Sequence, residues 1–403
     1  MCSKKFLLPT AALVILSSTG VLAQETASHI KWYGFIRNYV HIDSHESVAG
    51  TADLFNYLPK DNDNNTPTYH FTSISSRLGV DVTGYQFNKL SANAKIEADF
   101  YSGLSGVTGT AVLRLRQAYL TLGTKNDNGS FTLKMGQAWH PTAADLPDVI
   151  SLNTGAPFGP FSRTPLAQFD YSSNKALGFT AALIWQQQYT SAGPSGASAD
   201  YQKHSPVPEI YAGLNLKFDH SLIRLGFDML NISPNKDGKL FTTISPFIYA
   251  QYKKDLLSIK LKSIFAQAGE HVNLNGGYAL ARDGEHYTPT RNSSSWVSIS
   301  YGKKWQGVLF GGFVKNFGTA EAIAEDSSNI YFSKNSFSNM NAMWRLSPTI
   351  IRNLGKVTLA LEYEITSVQY GDSTKFNFEN ALADQNLHWI TNNRLQFMAK
   401  YTF

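Results

Sequence analysis

The chain has 403 residues, 43% of them hydrophobic and 16% charged, which is enough apolar material for one large domain or two ordinary ones and too much for a disordered chain. Its formal charge of +5 comes without a Lys/Arg run or an RNA-binding motif, which argues against nucleic acid as a partner. The usage leans on Gly (30), Tyr (20), Phe (25) and Trp (7), favouring strands and aromatic surfaces over helices, so the fold class expected is all-β.

Residues 1–23 read as a secretory signal: Lys4 and Lys5, the apolar run 6–16, then Val21-Leu22-Ala23 as a small-residue cleavage site before Gln24. The apolar run is well short of the ~20 residues a spanning helix needs, and no other stretch is long enough. The only cysteine, Cys2, lies inside this signal, so the exported chain carries no thiol and no disulfide. Losing Lys4 and Lys5 with the signal lowers the charge from +5 to +3.

From Trp32 onward the side chains alternate. Trp32, Ile36, Val40 and Ile42 share one face of a first strand over 32–43, with Tyr33, Phe35, Arg37, Tyr39, His41 and Asp43 on the other. A second strand over 74–82 precedes a turn read at GYQFN. The third, over 90–101, sets Leu90, Ala92, Ala94, Ile96, Ala98 and Phe100 against Ser91, Asn93, Lys95, Glu97, Asp99 and Tyr101. The same reading places strands near 111–122, 130–139, 163–173, 178–189, 208–218, 221–230, 242–252, 256–267, 293–301, 307–317, 336–347, 356–366 and 389–403, sixteen in all. Each is about the ~9–11 residues that cross a bilayer when tilted. Parity breaks after Arg116, which predicts a bulge.

The connections sort by parity. Those after even strands are short, whereas those after odd strands include 44–70, 140–162, 190–207, 268–292, 318–335 and 367–388. This is the asymmetry of a transmembrane antiparallel β-barrel with short periplasmic turns and long extracellular loops, filling 24–403 as one domain. Apolar faces such as Ile210, Leu214, Phe218, Leu359 and Leu361 then meet lipid. Their charged opposites, including Glu209, Lys217, Glu362 and Glu364, meet water, and closure leaves no unpaired edge in hydrocarbon. Aromatics at strand ends, such as Trp32, Trp185, Tyr401 and Phe403, suit interfacial girdles.

The last strand sets Leu395, Phe397, Ala399, Tyr401 and Phe403 against Asn392, Arg394, Gln396, Met398, Lys400 and Thr402. A final amphipathic strand closing on Phe is similar to the assembly signal of Gram-negative outer-membrane barrels. The resemblance implies residence in that membrane, contact with its lipids and recognition of Phe403 by the barrel assembly machinery.

The polar parity carries fourteen basic residues, Arg37, Arg77, Arg114, Arg345 and Arg394 among them, against nine acidic ones. A basic excess between low-dielectric walls favours anions, unless the charges pair across the wall and only keep the lumen wet. The loop 140–162 holds Leu146, Val149, Ile150, Leu152 and Phe158, more apolar groups than an exposed loop needs. Folding inward would bury them and narrow the pore, with Asp145 and Asp148 facing arginines across the gap. Packing at a subunit interface or over the rim is the alternative.

The segments SRLGVDVTG, SANAKIEADFYSG, LRLRQAYLTLG, LKMGQAW and RTPLAQFDYSS, in this order, resemble the first half of the DcaP-like trimeric porins, with similarity over about 32–173. That family implies a sixteen-stranded barrel, a homotrimer, and passage of small anionic solutes through an arginine-lined constriction. Carried over residue by residue, the resemblance points to Arg77, Arg114, Arg116, Gln137 and Arg163. Some members place a coiled coil before the barrel; here only 24–31 stand there, so none is expected.

No G-x-S-x-G, H-E-x-x-H, phosphate-binding loop or cysteine cluster is present, so neither an enzyme nor a cofactor is expected. The ten histidines lack metal-ligand spacing and read as surface polar groups, and no metal is expected. Glu362 and Glu364 stand side by side on one strand, whereas a glycosidase needs carboxylates across a cleft. The function expected is a porin for small hydrophilic, anionic solutes. A substrate-specific channel for sugars or dicarboxylates, with Tyr33, Phe35 and Tyr39 as an aromatic track, and a plugged structural or adhesin barrel are the alternatives.

Overall fold

The computed structural model describes residues 28–50, 55–62, 66–102, 111–235, 240–332 and 338–403. The signal expected over 1–23 lies outside them, as does nearly all of the connection 102–110.

The sixteen strands close into one antiparallel barrel. They are β1 (His29–Asp43), β2 (Arg77–Phe87), β3 (Leu90–Ser102), β4 (Ala111–Asn126), β5 (Gly129–Trp139), β6 (Arg163–Ser173), β7 (Leu177–Ile184) and β8 (Glu209–Lys217). The second half comprises β9 (Ser221–Ile232), β10 (Phe241–Lys254), β11 (Leu257–Gln267), β12 (Tyr287–Gly302), β13 (Trp305–Thr319), β14 (Met340–Leu354), β15 (Val357–Tyr370) and β16 (His388–Thr402). Each pairs with its neighbours in sequence, and β1 closes on β16 from Phe35 opposite Thr402 to Asp43 opposite Arg394. Closure satisfies every strand edge within the sheet, as hydrocarbon requires.

At the seam the chain approaches itself closely. The Gly34 and Phe403 backbones exchange hydrogen bonds of 3.4 and 3.1 Å. A Cβ on Gly34 would lie 2.4 Å from the Arg77 carbonyl oxygen and 2.7 Å from the Phe403 ring, so only glycine fits.

Several strand limits differ from the sequence reading, among them β7, which ends at Ile184 and not 189, and β12, which starts at Tyr287 and not 293. GYQFN is not a turn: β2 runs on to Phe87, its register shifting between Val82 and Tyr85 where Gly84 has φ 92, and the turn falls at Asn88, with φ 56. Strand β14 starts later than expected and runs through Arg352-Asn353-Leu354, pushing the turn to Gly355, with φ 67. The bulge at Arg116 is present. Glu97 faces Gln117 while Ala98 faces Leu115, so Arg116 drops out of the ladder.

Alternation has its predicted meaning on the outside. Ile96, Leu214, Leu361 and Phe397 are exposed, and their neighbours along the strands, Glu97, Glu362 and Gln396, are buried. An outward apolar band beside an inward polar face suits lipid outside and water inside. The principal apolar core, however, lies within the barrel. Ile150, Leu152, Ala156, Phe158 and Phe161 of the loop 140–162 pack with Trp296 and Phe310 of the wall and with Phe55 and Tyr57. The last two belong to a hairpin, Ser47–Gly50 paired with Phe55–Pro59, that the first long connection sends inward and that alternation did not reveal.

Candidate functional site

The inward loop is bound to the wall residue by residue. His140 donates its backbone N–H to the Ser162 carbonyl at 3.0 Å, so the ends of the loop are adjacent. Lys262 of β11, fully buried, donates to the carbonyls of Thr142 (2.6 Å) and Asp145 (3.0 Å). Further along, the Ile150 N–H reaches Glu362 Oε2 at 2.9 Å, and Asn153 exchanges hydrogen bonds with the Asn56 backbone. Phe158 sits edge-on to Phe310 over Gly312, where a Cβ would lie 2.4 Å from its ring. The loop therefore crosses from β5 to the inner faces of β11–β15. Packing over the rim is excluded.

The loop carboxylates do not face arginines across a gap. Asp145 lies 3.3 Å from Arg224 of β9 and Asp148 2.6 Å from Lys260 of β11, both on the wall where the loop rests. Their charge is spent fixing the loop.

Across the lumen, β1–β4 and β16 carry a cluster of cations. The guanidiniums of Arg77 and Arg37 lie 5.0 and 5.3 Å from the Phe35 ring, and the Lys400 ammonium 5.8 Å from it. Such cation–ring contacts hold the three together despite their like charge. Glu97 and Asp99 of β3 offset part of it. Arg114 takes both Asp99 oxygens at 2.8 Å, Arg116 bridges Glu97 (2.9 Å) and Asp99 (2.5 Å), and Arg77 approaches Glu97 at 3.4 Å. Among the described residues no carboxylate lies within ion-pair distance of Arg37 or Lys400. Arg114 and Arg116 share the inner face by strand alternation, and the bulge adds Gln117 to that face beside Arg116, where both donate to Glu97 Oε1. Gln137 holds that bulge through its amide N–H groups, which reach the Leu115 and Arg116 carbonyls at 3.1 and 3.2 Å.

Three of the expected pore-lining arginines are buried under loops and do not line open space. Arg394, 2% exposed, gives two hydrogen bonds to Asp43 (2.6 and 2.8 Å), one to the Asn56 carbonyl and one to Glu364. Arg345, 3% exposed, holds the Ala156 and Tyr57 carbonyls and Thr366. Arg163 lies over the Trp139 and Phe161 rings and donates to Gln188. Parity marks Arg345 and Arg394 as inward and the family resemblance points to Arg163, but the inward hairpin and loop cover them. An aromatic track is also missing: Tyr39 is buried, Tyr33 is engaged by Lys95 and Glu97, and Phe35 is ringed by cations. Beside the root of the loop a cavity of about 410 Å³ remains, with Lys134, Lys217 and Arg224 facing Asp170.

Four histidines expected at the surface, His41, His45, His140 and His271, are buried. His140 and His271 meet Glu209 and Asp228, and the four ligand atoms lie within 4.8 Å of one another. No spacing motif announces them, because each comes from a different element. Burial pushes the His271 imidazole down, but the Glu209 charge and the Asp228 hydrogen bond outweigh it and hold it up at about 9.

A closed sixteen-stranded barrel, lipid-facing outside and partly filled by its third long loop, defines a porin-type channel of the Gram-negative outer membrane. Residues 16–144 match the family model described as DcaP outer membrane protein, which bears out the resemblance read from SRLG, RLRQAY and GQAW. RTPLAQF, with Arg163, lies beyond the match. No curated protein matches the chain. Among solved structures, the outer membrane channel DcaP of Acinetobacter baumannii superposes with a TM-score of 0.71 at 17% identity, covering 93% of this chain and 97% of that one. The anion-selective porin from Comamonas acidovorans gives 0.55 at 10% identity, covering 94% and 100%. OmpT of Vibrio cholerae, in its trimer form, gives 0.51 at 13%, with the same coverage of 94% and 100%. At these identities the structural likeness is one of fold.

Proposed function

We propose that this chain is a porin for passive diffusion of small hydrophilic solutes, with anions preferred, and that its narrow part lies between the inward loop and the cation cluster of β1–β4 and β16. The observation that carries this is the Arg37, Arg77 and Lys400 group around Phe35. Neither Arg37 nor Lys400 has a carboxylate partner among the described residues, and the loop acids are already spent on Arg224 and Lys260. Arg114 and Arg116, tied to Asp99 and Glu97, add little net field, and the buried Arg163, Arg345 and Arg394 serve as anchors. In a potassium chloride gradient the reversal potential of single channels takes the sign of chloride preference. Replacing Arg37, Arg77 and Lys400 together by Gln moves it towards zero or beyond, because low-dielectric walls focus the field these three supply. An unchanged reversal potential in the triple variant sinks the proposal.

The assembled form proposed is a homotrimer, as in the trimeric OmpT that shares the fold, with residues 1–23 removed after export. An intact mass starting at Gln24 and a native mass of three chains are what this requires. The seam at Gly34 supports a role for Phe403 in recognition by the assembly machinery. Deleting Phe403 lowers the amount of barrel in the outer membrane and leaves export across the inner membrane intact; undiminished assembly removes that role.

A further inference from the structure

We propose that His140, Glu209, Asp228 and His271 form a closed structural site for a divalent cation of the zinc class, which fastens both ends of the inward loop to the barrel wall.

The residues arrive from four elements. His140 is the first residue after β5, Glu209 opens β8, Asp228 lies in β9, and His271 sits in the short turn Gly269–Val272 that follows β11. Their exposures are 1, 1, 2 and 3%. Between imidazole nitrogens and carboxylate oxygens the separations are 2.5 Å (His140–Glu209), 3.7 Å (His140–Asp228), 3.6 Å (His271–Glu209) and 3.0 Å (His271–Asp228). Ligands held about 2.0–2.2 Å from a tetrahedral ion stand roughly 3.3–3.6 Å apart, the upper part of that range. Small adjustments of side chains already in place would complete the tetrahedron.

Two further observations point to a cation. Asp228 Oδ1 is buried and accepts no hydrogen bond. The outer contacts also suit ligation. His271 Nδ1 lies 3.3 Å from the Ala268 carbonyl, an acceptor that directs the Nε2 lone pair inward, whereas His140 Nδ1 accepts the Thr142 backbone N–H at 3.2 Å and ligates through Nε2 only if its proton turns to the Thr142 hydroxyl at 2.7 Å instead. Ala268 and Asn273, on either side of the His271 turn, both take left-handed backbone, with φ 49 and 60. That geometry is costly for residues with a Cβ and is maintained where the turn presents His271.

Two imidazoles with two carboxylates suit zinc and its neighbours, whereas magnesium and calcium take oxygen donors alone. With four protein ligands, none more than 3% exposed, the site is structural and not catalytic. Its place gives it a task. His140 begins the inward loop and Ser162 ends it, and the Val272 carbonyl beside His271 accepts the Phe161 N–H at 2.8 Å. One ion would tie together both ends of the loop, the wall at β8 and β9, and the loop after β11. On binding, the cation replaces protons on the facing nitrogens, which pass to the solvent.

The test uses the full barrel in detergent, purified without a metal-affinity tag, stripped with a chelator and titrated with Co²⁺. Expected are the intense visible bands of tetrahedral Co²⁺, saturating at one ion per chain and bleached by an equivalent of Zn²⁺. His140→Ala with His271→Ala abolishes the bands. Asp228→Asn, which keeps the volume, weakens binding by at least the roughly tenfold that loss of an outer partner alone can cost. Absence of stoichiometric binding by the wild-type barrel overturns the proposal even if the double variant fails to fold. So does unaltered binding in Asp228→Asn.

Discussion

Replacing Arg394 by Met destabilises the folded barrel by about 3–5 kcal/mol, the cost of leaving buried carboxylates without their partner. Arg394 is the only cation within ion-pair distance of Asp43 among the described residues, apart from the imidazole of His41, and it also approaches Glu364 at 3.4 Å. Its removal strands Asp43 in a place that water reaches poorly, leaves Glu364 only Arg345 at 3.5 Å, and frees the Asn56 carbonyl of the inward hairpin. The effect is read from the urea midpoint of detergent-solubilised barrels, followed by heat-modifiable migration on gels. Adding Asp43→Asn to Arg394→Met restores part of the loss, because the stranded Asp43 charge is then gone while Glu364 keeps Arg345. A single variant within about 1 kcal/mol of wild type, the range of an exposed pair, would mean that solvent already screens this network.

Removing residues 143–158 raises the unit conductance severalfold while the barrel still folds. The cut can be closed, since His140 and Ser162 are in hydrogen-bond contact, and what it removes is the mass that fills the lumen from β11 to β15. Glu362 loses the Ile150 N–H, Lys262 the Asp145 carbonyl but not that of Thr142, and Arg345 the Ala156 carbonyl, and each gains water, so the stability loss comes chiefly from newly wetted Trp296 and Phe310. Planar-bilayer recordings decide the matter. Unchanged conductance would place the narrow part at the hairpin Phe55–Pro59 instead.

Strand parity made the barrel readable because a closed sheet between lipid and water gives every second side chain a different solvent. Leu361 and Glu362 announce their sides without any knowledge of partners, and the parity break at Arg116 marks a bulge for the same reason. Parity says nothing about what lies over an inward residue. Arg77 and Arg394 carry the same mark, yet one borders open space and the other is sealed beneath Asn56, which is contributed by a chain segment 338 residues away. The apolar content of 140–162 betrayed its inward course, whereas Phe55, Tyr57 and Leu58 lay in a stretch whose polar neighbours disguised it. The cluster of His140, Glu209, Asp228 and His271 was beyond reach of any spacing rule. Its members are brought together by the register of β8 against β9 and by two loops that meet inside the barrel.

The distances along the chain at which the inward loop finds its anchors impose an order in time. Asp148 waits for Lys260, 112 residues later, and Ile150 for Glu362, 212 residues later. Contacts so remote in sequence form late, after the entropy of closing long stretches of chain has been met. Until β15 is in place the loop has no complete seat. The passage therefore reaches its finished width only once β15 stands beside the loop.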